Sequence, residues 1–282
     1  MTDDEFKIFR DLIHRECGIF LKDDKKDFLR ARIEKRLNAL SIKSYYSYYR
    51  FITCANNQEE LYAFLDIVTI NETSFFRNIP QFEMFKEKVL PELIERKRKL
   101  RDYNLNVWSA GCATGEEPYS IGIALAEAIP DASLWNIKIT ASDISLRCLE
   151  IAGLGKYLPE KLKSMPEKYV LRFFKQTGEY YEVKDSLKRL VIFDYHNLMH
   201  ENGLTNIDII FCRNVMIYFD VEEQRKIIAR FQKNLNAGGY LFIGHAESLN
   251  GFTNGDFRYL YWNKGIAYQK VNLPEKVPAL SF

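Results

Sequence analysis

The sequence predicts two units of different class: an all-α domain over residues 1–75, then an α/β domain over residues 106–270 with a mostly parallel sheet and a small antiparallel insertion near 153–193. Three observations predict this. Over residues 1–70 apolar side chains recur at the three- and four-residue spacing of a helix face. From Asn106 onward short apolar runs alternate with helix-length segments, the pattern of a parallel sheet covered on both faces. Between Ile151 and Arg189 that rhythm breaks, which places an insertion there. At 282 residues the chain exceeds the usual domain of ~100–200 residues, so a second, smaller unit is expected. Residues 76–105 read as a helical linker and 271–282 as a tail.

Thr2 and Glu5 have capping-box spacing, and Phe6, Phe9 and Ile13 follow at helical intervals, so the chain opens with an amphipathic helix. A second helix starts near Asp23 or Asp24, with Leu29, Ile33, Leu37 and Leu40 on one face. Two more helical patterns cover 45–51 and 59–67. Residues 80–101 read as a further helix whose charged end, 95–101, is expected to be a solvated face. The strand candidates are 106–110, 137–142, 190–193, 207–212, 240–244 and 265–270. In the irregular interval a helix-like 166–174 precedes the strand-like pieces 179–183 and 187–193.

Hydrophobic residues make up 47% and charged residues 28%, so the tail after Lys270 is the first candidate for disorder. A net charge of +2 gives no overall field toward nucleic acid or an anionic membrane, and electrostatic recognition must be local. The acidic start, Met1 to Glu5, is unlike a signal peptide, and no stretch reaches the ~20 apolar residues of a membrane span. A cytoplasmic monomer without nucleic-acid or membrane-inserted contacts is expected. Five scattered cysteines, at 17, 54, 112, 148 and 212, argue for buried free thiols over disulfides or zinc. No metal site is expected: His196 and His200 have helical ligand spacing but follow a strand-like run.

The stretch from Asn106 to Ser120 reads as strand, glycine turn and helix entry. Gly111 can take a positive φ, Gly115 lets a ligand approach the backbone, and Pro118 suits a first helical turn. Two acids, Glu116 and Glu117, stand at that helix start, where they repel phosphate and welcome an amine. S-adenosylmethionine, with an ammonium, a sulfonium and ribose hydroxyls but no phosphate, is such a ligand. The next strand ends in Asp143, placed either to accept ribose hydroxyls or to cap the following helix. After the strand at 207–212 come Arg213, Asn214 and Tyr218, polar groups in an apolar run at the sheet edge where ligands bind; a buried structural Asn is the other reading. Residues 69–77 read as a helix cap beside a core anchor.

The segments 71–77, 109–120, 141–143 and 211–220 closely resemble those of CheR-type chemotaxis receptor methyltransferases, and the likeness runs from about Phe6 to Lys270. The resemblance implies a class I S-adenosylmethionine methyltransferase fold, a Rossmann-like sheet with a three-stranded β-subdomain, behind a helical N-terminal domain. Carried over by motif, Asn71, Thr73, Arg77, Gly111, Glu117, Asp143, Asn197, Leu198, Cys212, Arg213 and Asn214 are expected to line the cofactor pocket, with Arg77 and Tyr218 acting in transfer. The implied reaction methylates receptor glutamates in sensory adaptation and releases S-adenosylhomocysteine, with the enzyme recruited to membrane receptor clusters. The other readings are a different acceptor, or a module that binds the cofactor as a signal without transfer.

Between Arg30 and Arg50 lie six basic residues and one acid, and Lys25, Arg32 and Arg36 fall on one helical stripe, a candidate docking face for acidic receptor helices. The turn 176–179 is shorter than in family members that grip a receptor tether peptide, so tether-dependent recruitment is not expected.

Overall fold

The computed structural model describes residues 1–249, 251–252 and 255–271, so the expected tail lies outside the described residues except for Val271. The first helix, α1 (Asp3–Cys17), is closed by the capping box: Thr2 N–H donates to Glu5 Oε2 at 2.7 Å and Glu5 N–H to Thr2 Oγ1 at 3.2 Å. A 3-10 turn, Asp23–Lys25, leads into α2 (Lys26–Leu40), followed by α3 (Tyr45–Ile52) and α4 (Gln58–Val68). Phe9, Tyr48 and Phe64 meet at the centre, with ring centroids 5.7–6.1 Å apart. Each such buried side chain contributes about 1.5–3 kcal/mol by leaving water. Leu29, Ile33 and Leu37 join this core, but Leu40 does not: at the last position of α2 it is 36% exposed.

The expected linker is no spacer. Helix α5 (Ile79–Met84) continues through a π turn, Phe85–Val89, into α6 (Leu90–Lys99). This path lies against the sheet, with Phe85 5.1 Å from Phe211 and 5.8 Å from Phe242 between ring centroids. Nor is its charged end fully solvated. Lys97 is 5% exposed and pairs with Asp102 Oδ2 (2.7 Å) and Asp208 Oδ1 (3.0 Å), and Arg96 donates to the Gly238 carbonyl at 2.9 Å. The run meets the buried Asp208 at the start of a strand, a partner no local pattern announces.

The α/β part runs β1 (Asn104–Ala110), α7 (Glu116–Ala128), β2 (Asn136–Asp143), α8 (Leu146–Leu154), β3 (Lys156–Tyr157), α9 (Pro159–Leu162) and α10 (Glu167–Phe173). It continues through β4 (Phe174–Thr177), β5 (Tyr180–Val183), α11 (Asp185–Lys188), β6 (Val191–Tyr195), β7 (Ile207–Cys212), α12 (Val221–Asn234), β8 (Leu235–Ile243), β9 (Phe257–Trp262) and β10 (Gly265–Lys270). The large sheet has the order β6-β2-β1-β7-β8-β10-β9, parallel except for β10, which is antiparallel to β8 and β9. This is a class I methyltransferase sheet with a small antiparallel sheet, β3-β5-β4, inserted.

Two expectations are corrected. Residues 187–193 are not one strand of the insertion: α11 buries Leu187, and β6 belongs to the large sheet. Strand β9 was not anticipated, because it is an edge strand with an exposed Tyr259 and Tyr261, and its hairpin turns through Asn263 (φ 44°) and Lys264 (φ 66°) without a glycine. The chain winds outward from β1 through β2 to β6 and returns to β7 beside β1, so the sheet's switch point lies between β1 and β7.

Candidate functional site

The carboxyl ends of β1, β2 and β7 face a cavity closed on its other side by the N-terminal helices. β1 turns at Gly111, whose φ of +80° favours glycine; a Cβ there would stand 2.5 Å from Val215 Cγ2. The N–H groups of Gly111 and Cys112 both donate to the Ser142 carbonyl, at 2.8 and 3.0 Å, tying the end of β1 to that of β2. Asp143 is fixed in the same way: Oδ2 accepts the Ala113 N–H at 2.8 Å and Oδ1 the Ser145 N–H at 2.9 Å. Lone pairs remain on both oxygens for a ligand. The cap of α8 is Ser145, whose Oγ accepts the Cys148 N–H at 3.0 Å, so capping does not account for Asp143.

Of the two acids opening α7, only Glu117 reaches the cavity. Glu116 is wholly buried on the other side, taking a hydrogen bond from Thr114 Oγ1 (2.6 Å) and an ion pair from Lys161 Nζ (2.9 Å). Ser109 Oγ donates to Glu117 Oε1 at 2.7 Å, and Arg213 Nη1 to Oε2 at 3.2 Å. Arg213 also donates from Nε to Gln81 Oε1 (2.7 Å) and from Nη2 to the Arg77 carbonyl, so one guanidinium holds α5, α7 and the segment before α5 together. Gln81 in turn donates to the Ile243 carbonyl at 2.7 Å and the Ile266 carbonyl at 3.1 Å. Burial pushes the Glu117 carboxyl up and the Arg213 guanidinium down, while each partner's charge opposes the change. An arginine starting above ~12 keeps its proton, and its charge favours the ionised form of the carboxyl beside it.

After β7 the backbone passes Asn214 at φ +59°, a left-handed conformation asparagine tolerates. Glu247 holds this turn: its carboxylate accepts the N–H groups of Asn214 (3.1 Å), Ile217 (3.2 Å) and Gly244. A 3-10 turn, Met216–Tyr218, then brings Tyr218 half-buried to the cavity, its hydroxyl without a hydrogen-bond partner among the described residues. Burial raises the phenol, and the positive charge of Arg77 draws it back. Arg77 Nη1 donates to the Glu72 carbonyl at 2.7 Å, which leaves the rest of its donor fork for a ligand.

The cavity gathers Asn71, Thr73, Arg77, Gly111, Glu117, Asp143, Asn197, Leu198, Arg213, Asn214 and Tyr218. Cys212 is not among them: it is wholly buried in the core beneath β7, and burial holds its thiol well above the usual range. Sequence reasoning missed Gln81 and Glu247, which act through contacts 132 and 33 residues away along the chain. It also missed the walls supplied by Cys17, Ile19, Val68 and Thr69. Cys54 is exposed, against the expectation of buried thiols.

The docking stripe is also reshaped. Lys25 sits in the 3-10 turn before α2, and Arg36 is engaged by Glu60, with Nε to Oε1 at 2.8 Å beside Tyr48. Arg32 lies over the Phe28 ring, 5.0 Å from its centroid.

The cavity fits S-adenosylmethionine. Two buried carboxylates, Glu117 and Asp143, suit an ammonium and hydroxyl groups.

Residues 71–265 match the family described as CheR methyltransferase, SAM binding domain, and residues 4–69 match CheR methyltransferase, all-alpha domain. Chemotaxis protein methyltransferase 2 of Vibrio cholerae is 34% identical over 275 residues, spanning 96% of this chain and 94% of its own. The chemotaxis protein methyltransferase of Borreliella burgdorferi is 32% identical, spanning 91% and 92%. That of Salmonella typhimurium is 37% identical, spanning 89% and 85%. Likeness on this scale, over both the helical part and the part that builds the cavity, places the protein in the CheR methyltransferase family, whose cofactor is S-adenosylmethionine.

Proposed function

We propose that this protein methylates glutamate side chains of chemotaxis receptors, forming glutamyl methyl esters. The observation that carries the reading is the meeting of Arg77 and Tyr218 with the two buried carboxylates at one cavity. Glu117, whose ionised form Arg213 favours, would hold the ammonium of the cofactor, and Asp143, with lone pairs to spare, would accept its ribose hydroxyls. The bound cofactor supplies an electrophilic methyl group on a sulfonium and departs as S-adenosylhomocysteine.

The residues of this chain need only bind and orient. A glutamate acceptor, with a reference pKa near ~4.3, is already ionised at neutral pH and needs no strong base. Arg77 draws and orients that carboxylate by charge-assisted hydrogen bonds, and Tyr218 fixes its approach through the hydroxyl. Lys25 and Arg32 offer positive charge to glutamate-rich receptor helices. No helix among the described residues is long and apolar enough to cross a membrane. The receptor reading places the protein in the cytoplasm, at receptor clusters.

The test is transfer of labelled methyl to receptor-bearing membranes, with receptors carrying glutamate-to-alanine changes as control. Base-labile label on the native receptor alone is the expected result. Cofactor binding without label on any receptor overturns the reading.

A further inference from the structure

Tyr218 is held from outside its own domain. Helix α1 ends at Gly18, and the chain beyond it runs beside the tyrosine segment: Ile19 bridges Phe219 in antiparallel fashion, and the Phe20 N–H donates to the Tyr218 carbonyl at 2.8 Å. Gly18, at φ +72°, permits this approach, because a Cβ there would lie 2.9 Å from Phe219 Cε1 and strike Met199 Sδ. One turn earlier on α1, His14 Nε2 donates to Asp220 Oδ2 at 2.9 Å. Asp220 Oδ1 meanwhile accepts the Glu223 N–H at 2.9 Å as the N-cap of α12. The carboxylate that ends the tyrosine turn is therefore the one fastened to the N-terminal domain. Tyr218 itself packs on the core of that domain, and with no partner for its hydroxyl among the described residues, these contacts set where the ring stands.

We propose that His14 and Asp220 are positioning residues, whose contact between the N-terminal domain and the tyrosine turn sets the place of the Tyr218 hydroxyl in methyl transfer. The proposal rests on the reading of Tyr218 as catalytic. His14 is the residue to vary, since its loss breaks the contact and leaves the Asp220 cap of α12 in place. The pair is partly exposed, with side chains 40% and 34% accessible, so its removal leaves stability almost unchanged. A displaced hydroxyl, in contrast, strongly lowers the rate.

In the full-length protein, assayed with labelled S-adenosylmethionine and receptor-bearing membranes, His14→Ala is expected to lower kcat about tenfold with the KM for cofactor within about twofold. His14→Gln, which restores a donor to Asp220, is expected to recover at least half of that loss. Combined with Tyr218→Phe, His14→Ala is expected to add nothing, because the hydroxyl it places is gone. An unchanged kcat in His14→Ala, equal losses in the Ala and Gln variants, or multiplying losses in the double variant overturn the proposal. A readout without turnover is the 19F resonance of 3-fluorotyrosine placed at position 218, shifted or broadened by His14→Ala and not by His14→Gln. An unmoved resonance in His14→Ala also overturns it. If the unaltered protein transfers no label while the resonance responds as expected, the receptor reading fails and the positioning stands.

Discussion

Two loops meet at the cavity, and they are built differently. The loop after β1 is held mainly by the end of the neighbouring strand: Gly111 and Cys112 donate to the Ser142 carbonyl and Ala113 to the Asp143 carboxylate, all within the β1-β2 layer. The loop after β7 is held by side chains from elsewhere: Gln81 on Arg213, Glu247 beneath Asn214 and Ile217, and the end of α1 against Tyr218 and Phe219. The first loop is thus a local construction and the second an assembled one. Changes in the first loop should act on cofactor binding, and changes in the second on folding or on transfer.

The largest effect expected is that of Arg213→Leu, which leaves Glu117 buried without its partner and costs about 3–5 kcal/mol in denaturant unfolding. Replacing Arg213 and Glu117 together with methionine should recover most of that stability, while cofactor binding is lost with the Glu117 carboxylate. Next, Tyr218→Phe should lower methyl transfer about a hundredfold with cofactor affinity unchanged, read by single-turnover kinetics beside calorimetry. Equal losses in both would erase the distinction between the loops. Gly111→Ala forces a side chain into the left-handed region and against Val215, about 1–3 kcal/mol of strain, and should weaken cofactor binding about tenfold or more.

A pH titration sharpens the same contrast. Burial raises the Asp143 carboxyl above its ordinary value, against the hydrogen bonds it accepts. Cofactor affinity should therefore fall as acid protonates Asp143, beginning above the ordinary carboxylate range near ~3.9. A raised folded-state pKa means that the folded chain binds this proton more tightly than the unfolded one. In the window between the two values, protonation of Asp143 thus favours folding while it opposes cofactor binding. Asp143→Asn should abolish that limb of the binding profile. The smallest effect is that of Arg32→Glu, a loss of about two- to fivefold in receptor methylation at low salt that fades as salt is added.

How much was legible in the sequence follows the same division. Thr2 and Glu5, Gly111, and Asp143 at the end of its strand declare themselves through neighbours a few residues away, and the strand alternation carries the sheet. Arg213, Asn214 and Tyr218 stood out as polar groups in an apolar run, and the family motifs named their company. What supports them was hidden, because Gln81, Glu247 and His14 act across long separations and look ordinary where they stand. The same reason explains Lys97, a charge in a basic run that finds Asp208 only in the fold. Cys212 illustrates the reverse: it sits inside the matching segment 211–220 yet is buried in the core.

Because Cys17, Ile19, Val68 and Thr69 form part of the cavity wall, the helical domain and the sheet domain are not free to be exchanged as modules. A recombination joint near residue 70, where the two family matches meet, would carry a foreign wall into the cavity even if both halves folded. The two halves are thereby bound to a common inheritance, each change in one screened against the other.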